Sequence, residues 1–234
     1  MKKNLQTKAT SVMILALFAA ISTLNLKAGN LLVDPGFENQ TPAAQGGWLS
    51  FGGFFSLDYT HNGIRSMFVP TDFGVPGAFQ QFPAAPGSKW QLTGYGLTAS
   101  FLQGSLGLIQ FTFFDSSGHD LGTVETSGNQ FPAKISNPVD ETSTPLVWTP
   151  LDTGIATAPA GTAYVQAFVI FINFTGIAQG VYFDDLDLEV LGVTHGQYVE
   201  SIIKNALTLK ANGLITGTTA LDMVKAATQS AGGK

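Results

Sequence analysis

Gly180-Val181-Tyr182-Phe183-Asp184-Asp185-Leu186-Asp187-Leu188-Glu189-Val190 is the stretch that decides the fold. Read at period two, Tyr182, Leu186, Leu188 and Val190 share one face with Asp184, while Val181, Phe183, Asp185, Asp187 and Glu189 share the other. Such alternation predicts a strand with one side on a core and, beyond Phe183, the other side in water. Asp184 then points where a hydrophobe belongs. A carboxylate there is costly unless it is hydrogen-bonded, paired or bound to a metal. Two readings follow: Asp184 closes a structural calcium site against the N-terminal strand, or it sits at the strand's frayed start and caps a neighbouring turn. In both, this strand completes a β-sandwich.

Upstream, short apolar runs are separated by turn signals about every 8–12 residues, with no helical period between Asn30 and Leu191. Predicted strands are Ile64–Val69, Gly77–Phe82, Lys89–Leu102, Leu106–Asp115, Leu121–Glu125 and Ala163–Phe174. The run Val165–Asn173 is apolar on both faces, which makes it a central strand with cover on its second side. This pattern points to an antiparallel sandwich rather than βαβ units. After Val193 the period changes: Tyr198, Val199, Ile202, Ile203, Ala206, Leu207 and Leu209 form a helical stripe ending at Asn212-Gly213. A second short helix starts at Thr218 or Thr219. The expectation is an all-β jelly roll over residues 29–192 with a helical hairpin over 193–234, docked on the sandwich or on another protein.

The first 28 residues read differently. A basic start at Lys2, Lys3 and Lys8 precedes ten uninterrupted apolar residues, Val12–Ile21, and a polar stretch ending at Ala28. That is the layout of a secretory signal peptide, too short in its apolar run for a permanent membrane anchor. The mature chain is therefore expected outside the cytoplasm: secreted, periplasmic or at the cell surface, and free of the membrane once cleaved.

Composition narrows the function. Of 234 residues only 12% are charged, and the 18 Phe outnumber 5 Tyr and 3 Trp. Four of the 11 basic residues lie in the signal segment, leaving 7 against 16 acidic, a net of −9. Phosphate neutralisation needs clustered Lys and Arg, so nucleic acid is excluded as a partner. There is no Cys, hence no disulfide framework and no thiol nucleophile. His61, His119 and His195 are the only histidines, each in a turn or at a segment boundary, and neither a nucleophile elbow nor a metal-binding His pair is present. The acids of residues 184–189 sit on one strand rather than across a cleft, as a glycosidase requires. The chain reads as a non-enzyme. Asn173-Phe174-Thr175 matches the glycosylation acceptor pattern, a match common by chance.

The order of segments resembles the calcium-stabilised jelly-roll carbohydrate-binding modules of families four, nine and twenty-two. Asn30-Leu-Leu-Val-Asp-Pro-Gly-Phe-Glu38 is similar to their first strand, and His61-Asn-Gly63 followed by Ser66–Val69 to their turn and strand. Gln80-Gln-Phe82 with Pro86-Gly87 and Trp90, Phe111–Gly118, Trp148 with Ala158–Thr162, and Tyr182–Leu188 continue the series. The resemblance covers residues 30–191. It implies a calcium ion held by Glu38 and Asp184, with backbone carbonyls near His61 and Gly63 as further ligands.

The resemblance also implies a polysaccharide or cell-surface glycan as partner, held by aromatic faces flanked by amides. The candidates are Gln166 and Phe168, beside Ile170, on one side of their strand. Gln110 and Phe114, beside Thr112, lie on one side of theirs, and Trp48 and Tyr95 serve as further platforms. The family favours Trp and Tyr at such positions, and this chain offers mostly Phe. The rival reading is an extracellular structural or adhesive protein that self-associates through the helices and buries those rings in its core, under the tail or against a neighbour.

Overall fold

The computed structural model describes residues 29–39, 47–122, 134–213 and 215–229. The signal-like segment and the end of the expected strand Leu121–Glu125 lie outside the described residues. Among the described residues, eleven strands form two antiparallel sheets, followed by two helices. One sheet orders β1 (Leu49–Ser50), β4 (Gly77–Pro83), β10 (Tyr164–Asn173), β6 (Ser105–Phe114) and β7 (Lys134–Ile135). The other orders β2 (Phe54–Ser56), β3 (Ser66–Thr71), β11 (Gln179–Leu191), β5 (Lys89–Thr98) and β8 (Thr149–Asp152), with β9 (Ala156–Thr157) also on β5. The expected sandwich with a helical appendage is the fold observed.

Alternation along the strands packs the two sheets face to face. Phe111, Phe113, Val165, Val169 and Phe171 of the five-stranded sheet meet Met67, Val69, Leu92, Val181 and Phe183 of the other in one core, all at most 1% exposed. Burying each of the larger side chains contributes about 1.5–3 kcal/mol. Gly94 on β5 leaves the space that Leu186 fills: a Cβ there would lie 2.3 Å from Leu186 Cδ2.

The deciding strand departs from a single period. The register of β11 on β5 slips between Asp184 and Asp187, a bulge at which Asp185 takes φ +48°. Before the bulge Val181 and Phe183 face the core. After it Leu186, Leu188 and Val190 do. The extra residue reverses the phase, so Tyr182 and Asp184 do not share the inward face with the leucines. Asp184 lies on the outer face, yet is fully buried. Glu189, expected in water, is only 6% exposed opposite Gln91.

Residues 30–33 run beside β11 without entering a sheet: Leu31 N–H donates to Leu188 O (2.9 Å), and the Asn30 side chain bonds Leu186 O and Leu188 N. The buried Gln80 side chain completes this segment, accepting from Val33 N–H (3.0 Å) and donating to Val33 O (2.6 Å). Helix α1 (His195–Ala211) starts at a capping box in which the Thr194 and Gln197 side chains bond each other's backbone N–H, and it stops at Asn212 with Gly213 at φ +72°. Helix α2 (Gly217–Gln229) begins a residue or two earlier than expected, because Thr216 Oγ1 accepts from Thr219 N–H. Tyr198 and Ile202 join the main core, while Ala206, Leu209, Ile215 and Ala220 close over Val33. The tail thus docks on the sandwich. Its stripe is narrower than the sequence suggests, since Ile203 (38%) and Leu207 (61%) face solvent.

Candidate functional site

The Asp34–Phe37 turn places Glu38. Asp34 and Phe37 both take left-handed backbone, at φ +51° and +59°, and Phe37 N–H donates to Asp34 O. The Asp34 carboxylate accepts from Glu38 N–H (2.7 Å) and Asn39 N–H (3.0 Å). Burial raises its pKa against the pull of those N–H groups. The Glu38 carboxylate then accepts from Ile64 N–H (3.0 Å) and Arg65 N–H (3.2 Å), while Arg65 Nη1 donates to Glu38 O (2.7 Å). A Cβ on Gly63 would sit 2.0 Å from Glu38 Oε1. This contact accounts for the glycine, whose φ is +68°.

Asp184 sits near Gly36, its Oδ1 3.6 Å from where a Cβ on that glycine would lie. Its Oδ2 accepts from His61 N–H (2.7 Å) and Asn62 N–H (3.2 Å), and its Oδ1 from Asp185 N–H (2.7 Å). Burial pushes the Asp184 carboxyl up to about 6 against those three hydrogen bonds, and the neighbouring Asp185 charge adds to the rise. Asp184 therefore caps a neighbouring turn, residues 61–62, as one sequence reading holds, but from within β11 rather than from a frayed strand start. For calcium the donor chemistry fits, since Glu38 and Asp184, both beside Gly36, carry hard carboxylate oxygens. Their oxygens, however, are already held by N–H groups. Among the described residues no three acidic or imidazole side chains stand close enough to hold one ion as they are. His61 and Asn62 meet Asp184 through their backbone N–H groups.

Four of the six expected ligand-binding residues come together. On the outer face of the five-stranded sheet, register aligns Pro83–Tyr164–Phe114, then Gln81–Gln166–Thr112, then Phe79–Phe168–Gln110. An amide rung thus lies between two aromatic rungs. Gln166 Nε2 donates to Gln81 Oε1 (3.0 Å), Phe114 stacks on Tyr164 (5.0 Å between ring centroids, planes 9° apart), and Phe79 meets Phe168 at 5.4 Å. These rings and amides are half-buried, whereas Thr112 (3%) and Ile170 (7%) are buried. Phe51, 45% exposed, extends the row beyond Phe79 at 6.3 Å. Sequence reasoning missed Phe79, Gln81 and Tyr164, although the alternation in Gly77–Phe82 already placed Phe79 and Gln81 on one side.

The other two do not belong to this face. Trp48 is 1% exposed, packs on Phe37 (5.0 Å) and donates its Nε1–H to Asp34 O (3.1 Å). It is a core residue because the turn that holds Glu38 closes over it. Tyr95 lies on the outer face of the six-stranded sheet, opposite Asp184 and Pro150 in register, because β5 belongs to that sheet. The Asn173 of the acceptor pattern is fully buried. Its Nδ2 donates to Thr71 O and Ile177 O, which removes it from modification. Among the described residues no helix is long and apolar enough to cross a membrane.

Comparison with protein-family profiles and with curated proteins finds no match. Solved structures with a similar chain course include the CBM22-1 xylan-binding domain of Xyn10C from Paenibacillus barcinonensis, at 15% identity and TM-score 0.48 over 72% of this chain and 99% of that one. A family 16 carbohydrate-binding module is similar at 17% identity and TM-score 0.48, over 68% and 99%. The enzymatically active domain of tailspike protein 4 from bacteriophage CBA120 is similar at 14% identity and TM-score 0.47, over 69% of this chain and 21% of that one. This chain therefore spans about a fifth of the tailspike domain.

Proposed function

We propose that this protein is a secreted, non-catalytic carbohydrate-binding module that holds a polysaccharide or cell-surface glycan along the outer face of its five-stranded sheet. The observation that carries this reading is the Gln81–Gln166 amide pair set between the Phe114–Tyr164 and Phe79–Phe168 ring pairs. Planar rings stack on the C–H faces of pyranoses, and carboxamides exchange paired hydrogen bonds with vicinal hydroxyls. A face open along the strands suits a chain rather than a single sugar. The acidic surface favours a neutral glycan. The helices dock beside residues 29–33 and leave these rings half-exposed, which favours binding over burial of the row beneath the tail.

Affinity electrophoresis of residues 29–234 through gels containing xylan, mixed-linkage glucan or galactan tests the reading. Retardation by one of them, weakened in Phe168→Leu and Gln166→Ala, is expected. Retardation by none, or unchanged retardation in both variants, overturns it.

Calcium is a separate part of the proposal, with Glu38 and Asp184 as the ligands. Binding it requires both carboxylates to give up N–H partners, so the ion supplies charge neutralisation in their place. A rise in melting temperature on adding calcium to chelator-treated protein, absent in Asp184→Asn, is the expected result. No shift up to millimolar calcium removes the ion from the account. Assembly through the tail is a second reading, favoured by the outward Ile203 and Leu207, and light scattering of Leu207→Lys beside the parent chain tests it.

A further inference from the structure

The bulge in β11 builds something on the opposite sheet. Asp185 holds left-handed backbone at φ +48°, a conformation that costs a non-glycine residue roughly 1 kcal/mol or more. Glycine would meet the same bend without that cost, so it is the side chain that the position requires. That side chain does not enter the core. Its Oδ2 meets His61 Nδ1 at 2.6 Å and accepts from Asn62 Nδ2 at 2.5 Å, with 29% of Asp185 and 27% of His61 exposed. The imidazole so fixed stacks on Tyr95, centroids 3.8 Å and planes 16° apart, and meets Trp148 edge to face at 5.6 Å and 73°. Trp148 is half-buried, delivered to the sheet by the residues just before β8, where Thr149 pairs with Gly96.

These residues come from four separate segments and share one surface. His61 stacks on Tyr95 and meets Trp148 edge to face, and the Asp185 carboxylate and Asn62 carboxamide hydrogen-bond beside the imidazole. Aromatic rings and planar polar groups side by side are the two components with which proteins hold sugar rings. The partly exposed Asp185 carboxylate disfavours uronic acids and favours a neutral residue. We propose that this cluster is a second saccharide site, for a neutral pyranose, on the side of the sandwich away from the Gln81–Gln166 face. It rests on the carbohydrate-binding reading above. With both faces occupied, one molecule joins two glycan chains.

Tryptophan fluorescence isolates this site, because Trp48 (1%) and Trp90 (2%) are buried and acrylamide reaches Trp148 alone. Xylohexaose and cellohexaose are the probes. One of them is expected to protect Trp148 from quenching. The sugar dependence should vanish in Trp148→Phe and need about tenfold more sugar in Asn62→Ala. Phe168→Leu, altered only on the other face, should keep the protection while its retardation in the gel weakens. Protection that disappears in Phe168→Leu, or none at sugar concentrations that abolish gel retardation, overturns the second site and leaves the first standing. Protection with no contribution from Phe168 or Gln166 places the binding here and removes the first reading instead. No protection and no retardation removes both. Trp148→Phe removes the reporter and so assigns the signal to Trp148, and an unchanged melting temperature in Asn62→Ala shows that its weaker response is a loss of binding.

Discussion

The imidazole of His61 lies on the phenol ring of Tyr95, 3.8 Å between centroids, although sequence alone gives the two residues separate roles. It suggests a metal for the first and a sugar for the second. Their contact exists because Asp184 takes the backbone N–H groups of His61 and Asn62 and holds that turn over β5.

Asp184 gives the fold a pH dependence opposite to that of an ordinary paired carboxylate. Its pKa is about 6 in the folded chain against 3.8 for an unperturbed aspartate, so the folded chain holds the proton more tightly. The stability this contributes is whole below pH 3.8 and is lost as pH rises through about 6, with a slope of at most about 1.4 kcal/mol per unit. Urea midpoints across that range, in the presence of a chelator, are expected to fall. The slope attributable to this group disappears in Asp184→Asn.

Gly63 and Gly87 separate strain from collision. Both have positive φ, +68° and +81°, but a Cβ on Gly87 meets nothing within 4 Å while one on Gly63 meets Glu38 Oε1 at 2.0 Å. Gly87→Ala should cost about 1 kcal/mol in denaturant unfolding. Gly63→Ala should cost roughly 2 kcal/mol more, because the Glu38 carboxylate must leave the N–H groups of Ile64 and Arg65. Equal costs would show that Glu38 is free to move.

Gln80→Ala removes the partner of both Val33 N–H and Val33 O in a buried place. Two unpaired buried backbone groups cost about 2–5 kcal/mol. The loss should appear as a lower urea midpoint and as faster amide exchange in the helices, whose residues Ala206 and Leu209 pack on Val33.

Trp48→Ala should cost about 3–5 kcal/mol, as expected for a large buried aromatic. Retardation of the remaining folded protein by polysaccharide should not change. A selective loss of binding at unchanged stability would return Trp48 to the ligand.

Much of the fold can be read in the chain because each long strand alternates against the same core, and turns mark its ends. The phase reversal in β11 cannot, since a bulge leaves the composition of a strand unaltered. The one trace it leaves is that Val181 and Phe183 are apolar on the side where Asp185 and Asp187 are not. The Gln110, Phe114, Gln166 and Phe168 face is legible for the same reason as the strands: period two fixes which side chains travel together. Tyr95 and Trp48 fall elsewhere because period says nothing about which sheet a strand joins or which turn closes over a ring. The Asp185–His61–Tyr95–Trp148 cluster joins segments far apart in sequence and has no local signal.

The closure of α1 and α2 over Val33 has a consequence for the order of events in folding. Val33 finishes its packing only with residues 206–220, so the first described strand-like segment waits for nearly the whole chain. Pairings of such span are slow, and until they form the edges of both sheets are open to other chains. The tail therefore acts as a latch that arrives last, and shortening it should lower the yield of folded protein before it affects any binding.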